Sequence, residues 1–319
     1  MQNTLNNICF YGASIIRQPK GIVYNFKELN PDKNVYFQAY GGTRIMDAGI
    51  CHIDKVIDST PDYCFIEWFS AQMPIAPSDE YLEKCMDIIV RKLLEIDCLP
   101  IFLLLYRMDN KNIKELLQKR KDMYGFIKSY CHKYNIDYID LSDHPEVIEL
   151  QKQDKLMLDT AHTAPDGAKK YAEIIHQEFH KNIKHKDISK NIYPTKNELY
   201  DIREQELVSN ISKSFKIFGQ GKIIGINQYV GPHSGILHIT HADGSKTQFN
   251  CWDQYCFYQR NIISRIDLSF NNWVEINVSQ EEFDKSSASK PVGVYTLEKM
   301  IKCLSIFYIG NIDSIEVLG

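Results

Sequence analysis

The chain has 319 residues, 44% hydrophobic and 12% aromatic, enough for one large or two ordinary domains with real cores; this excludes a disordered or fibrous protein. Its 37 Lys+Arg against 41 Asp+Glu leave a net charge of −4, so no global field draws it to nucleic acid or an anionic membrane, and a neutral small-molecule or glycan partner fits better. The N-terminus lacks a basic-then-apolar leader, and the most apolar segment, Leu99–Tyr106, is too short to span a bilayer; the expectation is a soluble, cytoplasmic chain without a membrane span.

In chain order, short apolar runs rich in β-branched or aromatic residues predict strands over Ile8–Tyr11, Asn34–Gln38, Tyr63–Trp68, Ile101–Tyr106 and Ile136–Ile139. Between and after them, apolar residues at spacings of three and four predict helices over Glu80–Ile96, Lys111–Lys133 and Gly167–Lys181. Strands alternating with helices imply right-handed crossovers and a three-layer α/β/α sandwich around a five-stranded parallel sheet, with any site at the carboxyl ends of the strands. From His180 to Glu206 the chain turns polar and charged, which reads as a linker with a boundary near residue 195. Beyond it, short alternating segments punctuated by Gly, Asn and Asp, among them "GILHITHA", "SRIDLSF", "WVEINVS", "CLSIFYIG" and "DSIEVLG", predict an antiparallel β-sandwich. The expected domains are 1–185 and 206–319, with 186–205 between them.

Nine cysteines lie mostly inside apolar patterns and never as CxxC, so they are read as reduced core residues rather than disulfides or zinc ligands. His176 and His180 stand one helical turn apart but lack a third ligand of recognisable spacing, and are read as surface residues. His233, His238 and His241 are ordinary turn and strand-face histidines. No metal and no cofactor is expected, since P-loop, dinucleotide-binding and zinc-hydrolase signatures are all absent.

Three places carry chemistry. Gly12-Ala13-Ser14 follows the first strand, where a glycine allows a sharp exit and a serine at a helix start presents its hydroxyl and N–H at the sheet edge; the plain alternative is a capping serine. Asp159-Thr160-Ala161-His162 precedes a Pro-Asp-Gly helix start. A carboxylate three residues before an imidazole can accept its Nδ1–H and leave Nε2 free to take a proton; the alternative is a solvated loop with a capping aspartate. Gly41-Gly42 follows the second strand, where paired glycines bring backbone N–H groups close to a ligand, or simply make a flexible turn.

Together, in this order, these motifs resemble the SGNH (GDSL-type) hydrolase family over roughly residues 5–180. The resemblance implies a flavodoxin-like fold, Ser14 as nucleophile and oxyanion donor, Gly42 as a second donor with Gly41 beside it, Asp159 as orienting acid and His162 as general base. The family's usual Gly-Asp-Ser lacks its aspartate here. Its third block, Gly-x-Asn-Asp, is also missing: "EWFSAQ" places Ala71 where the asparagine belongs, leaving Gln72 or Ser70 to supply a third donor. Losing one such donor typically costs about 10²–10³ in rate. Arg44 and Arg107 would face the same rim and hold an anionic group on the substrate, the alternative being ion pairs to Glu67 or Asp109. In the trailing domain, Trp252, Tyr255, Phe257, Tyr258 and Trp273 either fill a sandwich core or stack on sugar rings, as in carbohydrate-binding modules.

The function expected from this resemblance is a serine esterase that removes an O-acyl group, specifically O-acetyl, from a carbohydrate. An O-acyltransferase of surface-glycan biosynthesis with the same triad is the second reading. A noncatalytic glycan-binding protein is the third.

Overall fold

Alternation along β1 (Asn7–Gly12) sends Ile8 and Phe10 to one face and Cys9 and Tyr11 to the other, and all four are fully buried. A strand apolar on both faces needs cover on both sides, which places it inside a three-layer arrangement. The computed structural model describes residues 7–70, 78–106, 114–182, 194, 196–207, 214–232, 234–251, 256, 260–278 and 302–318. They fall into two compact units, Met1–Tyr200 and Asp201–Gly319.

In the first unit, β2 (Asn34–Ala39), β3 (Tyr63–Glu67), β4 (Leu99–Leu104) and β5 (Asp137–Asp140) join β1 in a five-stranded sheet of order β2-β1-β3-β4-β5. All four pairings are parallel. The helices are α1 (Ser14–Arg17), α2 (Ile22–Leu29), α3 (Ile53–Ile57), α4 (Asp79–Glu95), α5 (Lys114–Tyr134), α6 (Pro145–Lys152) and α7 (Pro165–Asn182), with a π-helical turn at Ile45–Gly49. Phe26 of α2 and Tyr171, Ile175 and Phe179 of α7 pack on Ile8, Phe10, Phe65 and Ile101, forming one layer over the sheet. Its aromatic centre is tight, with Phe10 and Phe65 stacked at 4.7 Å between ring centroids. On the opposite face Phe102 meets Tyr130 of α5 edge-on at 6.2 Å, and the Tyr130 hydroxyl donates to Asp87 of α4 at 2.9 Å. Burial pushes the Asp87 carboxyl up to about 6 even though that hydrogen bond pulls it down. The stretch expected to be a linker is ordered at its end. Pro194 O accepts from Arg91 of α4 at 3.1 Å, Asn197 donates to Lys84 O at 3.0 Å, and Leu199 is buried, so 196–200 belong to the first unit.

The second unit is an antiparallel β-sandwich built from one sheet of order β6-β11-β7-β10-β8-β9: β6 (Arg203–Glu206), β7 (Ser214–Val230), β8 (Ile236–His241), β9 (Lys246–Asn250), β10 (Arg260–Val278) and β11 (Lys302–Leu318). The segments "SRIDLSF" and "WVEINV" are a single strand, and so are "CLSIFYIG" and "DSIEVL". Asn272, with φ 71°, and Gly310, with φ 105°, turn the backbone without ending the strand, next to Gly219 of β7 at φ 138°. They stand in neighbouring register, Asn272 opposite Gly219 and Gly310 opposite Gly221. Ile217, Ile223, Leu237, Val274, Ile276 and Ile306 lie in its core.

Eight cysteines among the described residues are free and buried. No helix among those residues is long and apolar enough to cross a membrane.

Candidate active site

The carboxyl ends of β2, β1 and β3 converge on one turn. Ala13 N–H donates to Glu67 O at 3.0 Å and Tyr40 N–H donates to Gly12 O at 3.0 Å, so the strand on either side grips the exit from β1. Gly12 is required by this closeness: a Cβ there would lie 2.2 Å from the Glu67 carbonyl oxygen and 2.9 Å from Ile16 Cγ1. Ser14 then starts α1, half-buried, at a position whose N–H has no acceptor within the helix.

The Gly41-Gly42 turn runs alongside. A Cβ on Gly41 would stand 3.6 Å from Ser14 Cβ, which places this backbone against the serine, and Gly42 takes φ 71°. Beneath the turn, Tyr40 stacks on His52 at 4.3 Å and lies parallel to Trp68 at 6.4 Å. Burial there pushes the His52 imidazole down to about 3, with Lys55 adding to the effect, so it stays neutral. Tyr11 donates to the carbonyls of Ala48 and Gly49 at 3.0 and 2.6 Å and fixes the π-helical turn behind it.

The third component comes from the loop before α7, closed as a small hairpin. Met157 bridges Thr163, Leu158 N–H donates to His162 O at 2.8 Å, and Ala164 N–H donates to Leu156 O at 2.9 Å. Within it Asp159 Oδ1 accepts from the N–H groups of Ala161 and His162 at 2.7 and 2.8 Å. His162 Nδ1 lies 2.9 Å from Asp159 Oδ2, and His162 Nε2 lies 3.1 Å from Ser14 Oγ. Burial works to raise the Asp159 carboxyl, but the Ala161 N–H, the His162 ring and the His162 N–H outweigh it and hold it below the ordinary value. An ionised carboxylate only accepts, so Nδ1 carries the ring proton and Nε2 is left to accept the Ser14 hydroxyl. An unbroken hydrogen-bonded line therefore runs from Asp159 through His162 to Ser14, across 148 residues of sequence.

Of the residues expected at the rim, Ser70 and Arg44 are among those described. Ser70 is buried, its N–H donating to Glu67 Oε1 at 3.2 Å. Arg44 is turned onto Asp47, three residues along, with Nε 2.8 Å from a carboxylate oxygen; this pair was not foreseen, and it engages a cation expected to meet substrate. Ala71, Gln72, Arg107, His233, Trp252, Tyr255, Phe257 and Tyr258 lie outside the described residues. Trp273 carries Lys216 over its ring at 4.0 Å. His176 and His180, read as surface residues, both reach the side-chain oxygen of buried Asn30, at 3.0 and 2.9 Å. Among the described residues no group of three His, Cys, Asp or Glu could hold a metal.

Nothing in the sequence marks Gln18, yet its side-chain amide makes three hydrogen bonds with Thr163. Nε2 donates to Thr163 O at 2.6 Å, and Oε1 accepts from Thr163 N–H at 3.1 Å and from Thr163 Oγ1 at 3.0 Å.

No family model matches the chain and no curated protein matches it in sequence. Among solved structures, a two-domain esterase active on acetylated mannans aligns over 95% of this chain and 90% of its own, with TM-score 0.64 and 13% identity. A structure of such an esterase co-crystallized with mannopentaose aligns over the same shares with TM-score 0.63 and 13% identity. At that identity the likeness speaks for the fold, and it spans both units. The chain thus has the two-domain fold of that esterase: an α/β domain with a five-stranded parallel sheet, followed in sequence by an antiparallel β-sandwich.

Proposed function

We propose that the chain is a serine esterase of the SGNH type that removes an O-acetyl group from a carbohydrate. The observation that carries this reading is the hydrogen-bonded line from Asp159 through His162 to Ser14, at 2.9 and 3.1 Å. His162 Nε2 takes the hydroxyl proton as Ser14 Oγ attacks the ester carbonyl. The oxyanion is met by the N–H groups of Ser14 and Gly42. On collapse, His162 returns the proton to the leaving sugar oxygen, and an acetyl-serine remains. Water, deprotonated by the same nitrogen, then releases acetate and restores Ser14. Asp159 holds the ring in the tautomer this requires and stabilises the imidazolium that forms. Support for a carbohydrate ester comes from the two-domain fold shared with an esterase that acts on acetylated mannans.

The test is treatment with a fluorophosphonate ester, read by intact mass, on wild type and Ser14→Ala. One adduct per chain, absent from Ser14→Ala, is the expected result; a folded wild type that takes up none overturns the reading. Incubation with acetylated sugars, with and without an acetyl donor, then separates hydrolysis from transfer: free acetate without a donor is expected, and acetylated sugar formed only with a donor identifies a transferase.

A further inference from the structure

Ser14 sits on a helix of four residues, and His162 sits in a loop 148 positions away. Neither segment is held to the other by the covalent chain, yet proton transfer needs the two side chains within a few tenths of an ångström of one geometry. Gln18 is the residue that ends α1, four positions and about 6 Å along the helix from Ser14 at its start. His162 and Thr163 are neighbours on the loop. The pair Gln18–Thr163 therefore lies parallel to the pair Ser14–His162, joining the same two segments one step away.

The joint itself is unusually complete. A primary amide offers a donor and an acceptor side by side, and Gln18 uses them as a strand residue uses its own backbone, exchanging both bonds with the peptide groups of one partner. Thr163 is fully buried, and its N–H, its C=O and its hydroxyl are all engaged by this single side chain. Gln18 is fixed in turn by its backbone, since Gly21 N–H donates to Gln18 O at 2.9 Å. The hairpin that carries Thr163 is closed by the Met157 bridge, so a shift at Thr163 carries the His162 ring with it.

We infer that Gln18 is a positioning residue for the proposed reaction: its amide locks Thr163, and through Thr163 it sets the approach of His162 Nε2 to Ser14 Oγ. Gln18 does not touch the reacting atoms. The inference rests on the esterase reading, and the two can fail separately.

The test is fluorophosphonate labelling of wild type, Gln18→Ala and Gln18→Glu, followed over time so that amplitude and rate constant are read independently. Gln18→Ala removes all three bonds. Gln18→Glu keeps size and both acceptor contacts but sets an oxygen against Thr163 O, and it serves if the alanine variant does not fold. The expected result is full amplitude, one adduct per chain, with a rate constant lowered about 10- to 100-fold, and the same fall in kcat on an aryl acetate with KM little changed. Full amplitude at the wild-type rate overturns the inference. So does reduced amplitude with the labelled fraction reacting at the wild-type rate, because that pattern marks a residue that only holds the fold together. An unlabelled wild type is instead the failure of the esterase reading.

Discussion

Replacing Asp159 by asparagine separates the charge of the triad acid from its structural role. Asp159 Oδ1 accepts two backbone bonds, from Ala161 and His162 at 2.7 and 2.8 Å, and an asparagine carbonyl can keep both, so the hairpin should survive. The change falls on Oδ2, 2.9 Å from His162 Nδ1, where an NH₂ group now stands. An amide nitrogen there can only donate, and the retained Oδ1, 3.1 Å from Nδ1, already accepts two backbone N–H groups, so the balance shifts to the tautomer in which Nδ1 accepts and Nε2 faces Ser14 Oγ with a hydrogen instead of a lone pair. The base is then in the wrong tautomer for its task. In serine triads that error costs about 10⁴ in kcat, equivalent to about 5 kcal/mol of transition-state stabilisation. The assay is hydrolysis of an aryl acetate together with the fluorophosphonate labelling rate, with circular dichroism and melting temperature as the control for folding. Asp159→Ala, which forfeits the backbone bonds as well, should melt lower than Asp159→Asn while being no more active. A folded Asp159→Asn that loses less than about tenfold in kcat would refute the assignment of Asp159 as the orienting acid.

Two further outcomes are open to measurement. Gly12→Ala should lower stability by about 1–3 kcal/mol or prevent folding, because a Cβ would sit 2.2 Å from the Glu67 carbonyl oxygen, which the parallel ladder holds in place; an unchanged thermal melt would count against that tight passage. Asp87 has its carboxyl raised to about 6 when folded, against an unfolded value near 3.8, so the folded state holds the proton more tightly and stability falls as pH rises through that window. Asp87→Asn should therefore gain melting temperature relative to wild type between pH 4 and pH 6 and hold the gain above it; a difference independent of pH would refute the raised carboxyl.

The parts of the fold that can be read from the chain are those with local causes. The inner strands β1, β3 and β4 show because apolar residues fill both faces, and α4 and α7 show because their apolar residues recur every three or four positions. By contrast α2 is brief, and its Ile22, Val23 and Tyr24 favour strands as much as helices, so only packing of Ile22, Val23 and Phe26 under the sheet decides it. The strand β6, "REQE", is exposed throughout and has no apolar alternation; it forms because the edge of β11 accepts it, a cause about a hundred residues away. Asparagine and glycine read as ends of strands in β10 and β11, whereas a single residue at positive φ can turn a strand and let it continue. At the site the same division holds. Asp159 and His162 are legible because a three-residue spacing already lets them meet. Arg44 turned to a carboxylate in its own turn, which its neighbours Ile45 and Met46 do not advertise. Gln18 left no trace, since a lone amide acquires meaning only when Thr163 is brought to it across 145 positions.

Three of the positive-φ positions of the second unit, Gly219, Asn272 and Gly310, fall on β7, β10 and β11, and β7 pairs with both of the others. Because no chain reversal separates the halves of those strands, neither half owns its own backbone. A truncation that removes β11 strips one strand from the whole length of the sheet at once, and a domain-swapped exchange of half the unit would have to cut through continuous ladders. The unit should accordingly melt in one transition, and an insertion at any of the three positions should be tolerated far worse than one in the β8–β9 turn, where Gly244 has nothing within 4 Å of an added Cβ.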